Sequence, residues 1–147
     1  MQAPGHYEIS TERSRLDIGL IHDFLRSSYW AQGIPRTVVE KSIRHSLCFG
    51  AFLGSQQVGF ARVISDFAAI AHIADVFVVP EHRGRGIAKL LMRAILEHPE
   101  LQGLRRFFLA TRDAHGLYAQ FGFQPLTHPE QYMTIRKIDV YRDENAA

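Results

Sequence analysis

The chain has 147 residues, 46% of them hydrophobic, the size of one domain able to bury roughly 68–70% of its unfolded surface. Its formal charge of +2 is too small to argue for nucleic acid, even with Arg105 and Arg106 gathered into a local basic patch. Cys48 is the only cysteine, which excludes an internal disulfide, and its neighbours Leu47 and Phe49 point to a buried strand thiol rather than a nucleophile.

The opening residues lack the apolar core of a signal peptide, and the most apolar stretch, 67–79, is broken by His72 and Asp75. The expectation is a single domain over residues 1–147, soluble, cytoplasmic, and without a membrane or nucleic-acid partner.

Residues 7–9 suit a short edge strand. Leu16, Leu20, Ile21, Phe24 and Leu25 then recur at helical spacing within 16–30, and a loop at 31–36 leads to a second helix carrying Val38, Val39 and Ile43. The β-rich runs 47–53 and 58–64 flank Gly54-Ser55-Gln56-Gln57, which reads as a hairpin, and 70–79 pairs next. A helix from Gly86 to about His98 follows, then a strand at 106–110 and a short helix around Tyr118. A final strand pair is predicted at 123–125 and 132–138. Antiparallel strands first and one helical crossover later define a mixed α/β sheet.

The run VVPEHRGRGIAKLLMRAI, from Val78, joins a β-branched strand through a Gly/Arg loop to an amphipathic helix. Gly84 and Gly86 allow a tight turn and close approach to a ligand, and the free N–H groups of the helix start, with its dipole, favour an anion. Arg83, Arg85 and Lys89 add charge around that point, whereas Glu81 and His82 precede the loop and shape it. The run is not a Walker loop, and Lys89 stands where a dinucleotide fingerprint needs its third glycine. What remains is R-x-x-G-x-A, spelled by Arg83, Gly86 and Ala88, which resembles the coenzyme A loop of the GNAT superfamily of N-acetyltransferases.

A second segment, TRDAHGLYAQFGF from Thr111, resembles the N-x-x-A-x-x-x-Y-x-x-x-GF stretch of the same family through Ala114, Tyr118, Gly122 and Phe123. It departs at Thr111, where Asn is common. The resemblance, over about residues 70–125, implies a GNAT-like mixed, mostly antiparallel sheet flanked by helices and splayed at the strand preceding the cofactor loop. It implies acetyl-CoA as cosubstrate, with Phe77, Val78 and Val79 bonding the pantetheine arm. Arg83, Gly84, Arg85, Gly86, Ile87, Ala88 and Lys89 would cradle the pyrophosphate, and Thr111 would reach the cofactor arm. Asp113 is read as the cap of the short helix.

Acetyl transfer to an amine needs a proton for the departing thiolate. Tyr118, with a phenol pKa near ~10, keeps its proton at neutral pH and matches the family's general acid; the other reading packs it on the sheet. The transfer also needs a neutral amine, and a lysine-like acceptor of pKa ~10.4 is deprotonated only about once in 2,500 molecules at pH 7. Asp75, amid apolar neighbours, is the first candidate base, and His72 the second. Strand alternation puts the two on opposite faces unless a bulge intervenes.

The family's acceptor loop corresponds to residues 29–35, where Tyr29 and Trp30 could hold an amine by cation–π contact or close the core. The acceptor, a small-molecule amine or a protein amine, is not readable. None of the eight histidines has zinc-type spacing with Cys48, so no metal is expected. The functional expectation is an N-acetyltransferase acting by direct attack in a ternary complex. The alternative is a GNAT-like module that senses acyl-CoA without turnover.

Overall fold

The computed structural model describes residues 6–141. Strand β1 (Glu8–Ser10) leads through a 3-10 turn to helix α1 (Ile18–Arg26) and helix α2 (Arg36–Arg44). Strands β2 (Leu47–Leu53), β3 (Gln56–Ser65) and β4 (Ile70–Val78) follow, then helix α3 (Ile87–Glu97), strand β5 (Arg106–Phe108) and helix α4 (His115–Ala119). The five strands form one sheet in chain order, antiparallel except for the parallel β4–β5 pair. This is the mixed, mostly antiparallel sheet flanked by helices expected from the sequence.

The helices cover opposite faces. Gly59 lies against Ile87 at the start of α3; a Cβ there would come within 3.3 Å of the Ile87 side chain, so the missing side chain sets how closely helix and sheet approach. The next β3 residue, Phe60, pairs with Phe77, and Phe77 stacks on Phe24 of α1 with ring centroids 4.0 Å apart. Adjacent strand residues face opposite ways, so α3 packs on one side and α1 on the other. Ile87, Leu91, Met92 and Ile95 bury the inner stripe of α3, each worth about 1.5–3 kcal/mol, which makes its first turn a fixed platform. Buried Gln57 ties the start of α1 to β3, accepting from the Asp17 amide at 2.7 Å and donating to the Gly59 carbonyl at 3.0 Å.

Two elements differ from the sequence reading. The first helix occupies Ile18–Arg26 rather than 16–30: Asp17 caps it through the Leu20 amide, and the Ser27 and Ser28 hydroxyls take the carbonyls that would continue it. Tyr29 and Trp30 therefore lie in the following loop, not on the helical stripe. The strand pair expected at 123–125 and 132–138 is absent from the sheet. Pro125 and Pro129 lack amide donors, a 3-10 turn fills Pro129–Gln131, and no backbone hydrogen bond joins 133–138 to any described strand.

Candidate active site

β4 and β5 pair only from Ile70–Arg106 to His72–Phe108. Beyond His72 the pairing ends, in the stretch where the resemblance implies a splay. In the parted stretch β4 carries a bulge. The register with β3 slips between Phe60 and Arg62, and Asp75 takes a left-handed φ of 56°, unusual for a residue with a side chain. The bulge turns Asp75 toward Arg62, onto the face that regular alternation would deny it.

Both carboxylate oxygens of Asp75 are engaged. Oδ2 accepts from Arg62 Nε at 2.7 Å and Oδ1 from Trp30 Nε1 at 2.9 Å. Arg62 also donates to the Ser46 hydroxyl at 3.2 Å. The side chains of Arg62 and Asp75 are 17% and 9% exposed, so the pair is largely removed from water. His72 stacks on Phe108 at 4.7 Å, nearly parallel, and is half-buried. Burial, and secondarily Arg62, hold its pKa below the usual 6.5 against an opposing pull from Asp75, so its ring is neutral at pH 7.

The loop after β4 begins with a 3-10 turn (Pro80–His82) and passes through Gly84 and Gly86 at φ of 77° and 80°. Gly86 caps α3, its carbonyl accepting from Leu90, and no side chain occupies the orphan amides of the first turn. A Cβ on either glycine would meet no protein atom within 4 Å, so both open onto free space. Arg85 and Lys89 are exposed beside that space, and Arg85 donates to the Tyr7 hydroxyl, which also bonds His82 Nδ1 at 2.8 Å.

Arg83 is turned differently: its Nε donates to the Val78 carbonyl at 3.0 Å, fastening the loop to the strand end. The Val79 amide is used by Val58, and the Phe77 side chain is buried against α1. Ala88 is partly buried on the first turn of α3, and Ile87 faces the sheet.

Tyr118 is 8% exposed on α4, edge-on to Phe123. Burial, and secondarily the phenol of Tyr29, raise its pKa above 10.0, so the hydroxyl keeps its proton. Just ahead of α4, Thr111 Oγ1 accepts from the Ala114 amide at 3.0 Å; Ala114 is the N-cap, and no side chain, Asp113 included, caps the helix. Asp113 instead pairs loosely with Arg112.

Tyr29 and Trp30, 49% and 40% exposed, pack edge-to-face at 5.1 Å. The Arg112 guanidinium lies 3.8 Å over the Tyr29 ring and its amide donates to the Tyr29 hydroxyl, so one face of that ring already holds a cation. Direct contacts thus run from Tyr29 through Trp30 and Asp75 to Arg62. Arg62, Arg112 and Tyr7 were not picked out in the sequence; only Arg62, a lone charge in the apolar run FARVI, carried a signal. A cavity of about 1020 Å³ follows β5 and is lined by Phe107, Leu109, Thr111 and Tyr118. A second, of about 920 Å³, borders the Tyr29–Trp30 loop. Among the described residues no group of three or more His, Cys, Asp or Glu side chains is placed to hold a metal ion, and no helix is long and apolar enough to cross a membrane.

A mixed sheet forked at a bulge, with a glycine-lined helix start beyond the fork, defines the acetyltransferase fold class. Residues 17–123 match the model of the acetyltransferase (GNAT) family, and the chain belongs to that family as an acyltransferase. A GNAT-family structure from Xanthomonas campestris, described as a candidate acetyltransferase, is 54% identical with a TM-score of 0.92, covering 95% of this chain and 99% of its own. A candidate acetyltransferase of Gibberella zeae is 29% identical over 139 residues, 79% of this chain and 77% of its own. The mouse thialysine N-epsilon-acetyltransferase is 32% identical over 69 residues, 44% of this chain and 41% of its own. A Clostridium acetobutylicum protein described as a candidate acetyltransferase, solved with acetyl-CoA, shares the fold at 15% identity and a TM-score of 0.64, over 89% of this chain and 95% of its own.

Proposed function

We propose that this acyltransferase moves an acetyl group from acetyl-CoA to a primary amine by direct attack in a ternary complex. The observation that carries the reading is the pair of left-handed glycines, Gly84 and Gly86, opening onto free space at the start of an anchored helix. Amides there, with Arg85 and Lys89, suit the diphosphate of coenzyme A. The Clostridium structure with acetyl-CoA and the mouse relative named for an N-epsilon amine support donor and acceptor class.

The thioester supplies an activated acetyl group with a thiol leaving group; the remaining demands fall on the chain. Tyr118 holds a proton at its hydroxyl and delivers it to the departing sulfur. Asp75, with both oxygens engaged, holds Trp30 at the acceptor loop and Arg62 in the sheet. His72 takes the acceptor's proton, directly or through water, a reading supported by its lowered pKa and its position last in the paired part of β4. Offsetting the charge of a protonated amine at pH 7 requires about 4.6 kcal/mol for a pKa near 10.4, shared between such a base and desolvation.

Calorimetry with acetyl-CoA tests the donor. At 100 times its dissociation constant the ligand stabilises the fold by about 2.7 kcal/mol, and NAD or ATP binds less tightly. Gly86→Val, which forces a β-branched residue to φ of 80° and fills the open space, abolishes binding. Unchanged affinity in that variant would contradict the cradle.

A further inference from the structure

The loop between β4 and α3 has little backbone pairing of its own. Among the described residues, the backbone hydrogen bonds of 83–86 are those from the Arg83 amide to Pro80 and from the Leu90 amide to Gly86. Gly84 and Gly86 add the widest backbone freedom to this stretch, and a ligand that had to order it would work against that entropy.

One phenol supplies what the backbone does not. Tyr7 directly precedes β1 and packs against the core. Its hydroxyl lies 2.8 Å from His82 Nδ1 and 3.1 Å from Arg85 Nη1, and the Tyr7 and His82 rings meet edge to face with centroids 5.7 Å apart. Arginine can only donate, so the phenol oxygen accepts from Arg85 and its own hydrogen is free for His82. Two loop residues, 75 and 78 positions along the chain from Tyr7, are thus tied to one atom from either side of Gly84. β1 pairs with β2 from Glu8 onward, so that atom is carried by the sheet and not by the loop. Neither bond occupies an amide of the glycine turn, and Arg85 keeps its other N–H donors in the open space beside it.

We propose that Tyr7 is a positioning residue for the cofactor: its hydroxyl braces His82 and Arg85 across Gly84 and holds the cradle in its binding shape before acetyl-CoA arrives. The proposal rests on the reading of this loop as a diphosphate site. A loop ordered in advance does not lose that freedom on binding, so the hydroxyl adds affinity without touching the cofactor. Its effect belongs to the diphosphate end and not to the thioester.

Calorimetry, NMR titration and amide hydrogen exchange on the full chain test this. Tyr7→Phe keeps the ring that meets His82 and removes only the hydroxyl. It is expected to raise the Kd for acetyl-CoA about tenfold, the scale of one lost hydrogen bond, and to speed exchange of the 83–88 amides in the free protein. S-acetylpantetheine, which has the thioester and the arm but no diphosphate, is expected to bind wild type and variant equally. His82→Leu breaks the brace from the loop side, and the double variant Tyr7→Phe, His82→Leu is expected to lose less affinity than the two single losses combined. Should Tyr7→Phe fail to fold, His82→Leu decides by the same comparison of the two ligands. Equal weakening of both ligands, or fully additive losses, would overturn the proposal. Unchanged acetyl-CoA affinity in either single variant, with wild-type binding intact, would overturn the brace alone. A wild type that does not bind acetyl-CoA would overturn the diphosphate reading and the brace with it.

Discussion

Asp75 and Arg62 meet at 2.7 Å because a single left-handed residue breaks the alternation of β4. The same carboxylate holds Trp30, so one bulge fixes the fork of the sheet and one aromatic of the loop after α1 together.

Removing one partner of this pair is costly. Arg62→Met leaves a carboxylate that is 9% exposed without its cation, and the loss of stability in urea denaturation is expected at about 3 kcal/mol. The double variant Arg62→Met, Asp75→Asn loses less than Arg62→Met alone. Equal or greater loss in the double variant would show that the two side chains do not act as a pair.

The pH dependence of turnover separates Asp75 from His72. If Asp75 positions Trp30, Asp75→Asn lowers the rate by a similar factor at every pH. If His72 takes the acceptor's proton, His72→Gln loses most near neutrality and recovers as pH approaches the acceptor's own pKa. A recovering Asp75→Asn profile would return the base role to the carboxylate.

His72 also predicts a slope in stability. Its folded pKa lies below 6.5, so the unfolded chain binds that proton more readily. Stability from this group is therefore full above about pH 6.5 and declines as pH falls through that value toward the folded pKa. Melting temperatures of wild type and His72→Gln should converge in slope above pH 7 and differ between pH 5 and 6.5, with the variant flatter. Asp66, whose pKa is lowered from 3.8 by the amides of Ala69, Ala68 and Ile70, acts in a separate, more acid window.

Cys48 is expected to resist alkylation in the folded protein. Burial pushes its pKa up to about 11, so almost no thiolate forms at pH 8. Mass spectrometry after iodoacetamide treatment should find it unmodified until denaturant is added; rapid native labelling would contradict its placement.

Local features of this chain were legible in the sequence, and distant pairings were not. Gly84 and Gly86 could be read because a loop that opens a helix is written in consecutive residues, and the α3 stripe because its period is local. The expected bond from Tyr118 to chemistry rests on its helix, which the chain also wrote locally. By contrast Arg62 and Asp75 are 13 residues apart and Trp30 and Asp75 are 45 apart, and only the sheet register joins them. The bulge itself left no residue signal, since a left-handed aspartate looks like any other. Two serines ended α1 early, a choice between helix and side-chain hydrogen bonding that periodicity cannot weigh. The strand pattern at 132–138 was readable as pattern, but among the described residues no backbone hydrogen bond pairs it with a strand.

Tyr118, proposed as the proton donor, carries the most specific catalytic prediction. Tyr118→Phe keeps the ring that packs against Phe123, so affinity for acetyl-CoA stays nearly unchanged while kcat falls by up to about 10²–10⁴-fold. The fall is smaller where departure of the thiolate is only partly rate-limiting. Wild-type kcat across neutral pH would leave Tyr118 as a packing residue.

The most direct measurement is release of free thiol from acetyl-CoA, followed by a colorimetric reagent, across a panel of small primary amines, amino acids and lysine-containing peptides. Acetyl transfer predicts release that requires an amine, saturates with it, yields the N-acetyl product by mass spectrometry, and is diminished in Tyr118→Phe. Tight acetyl-CoA binding with no amine-dependent release from any member of the panel would contradict it and point to a sensor.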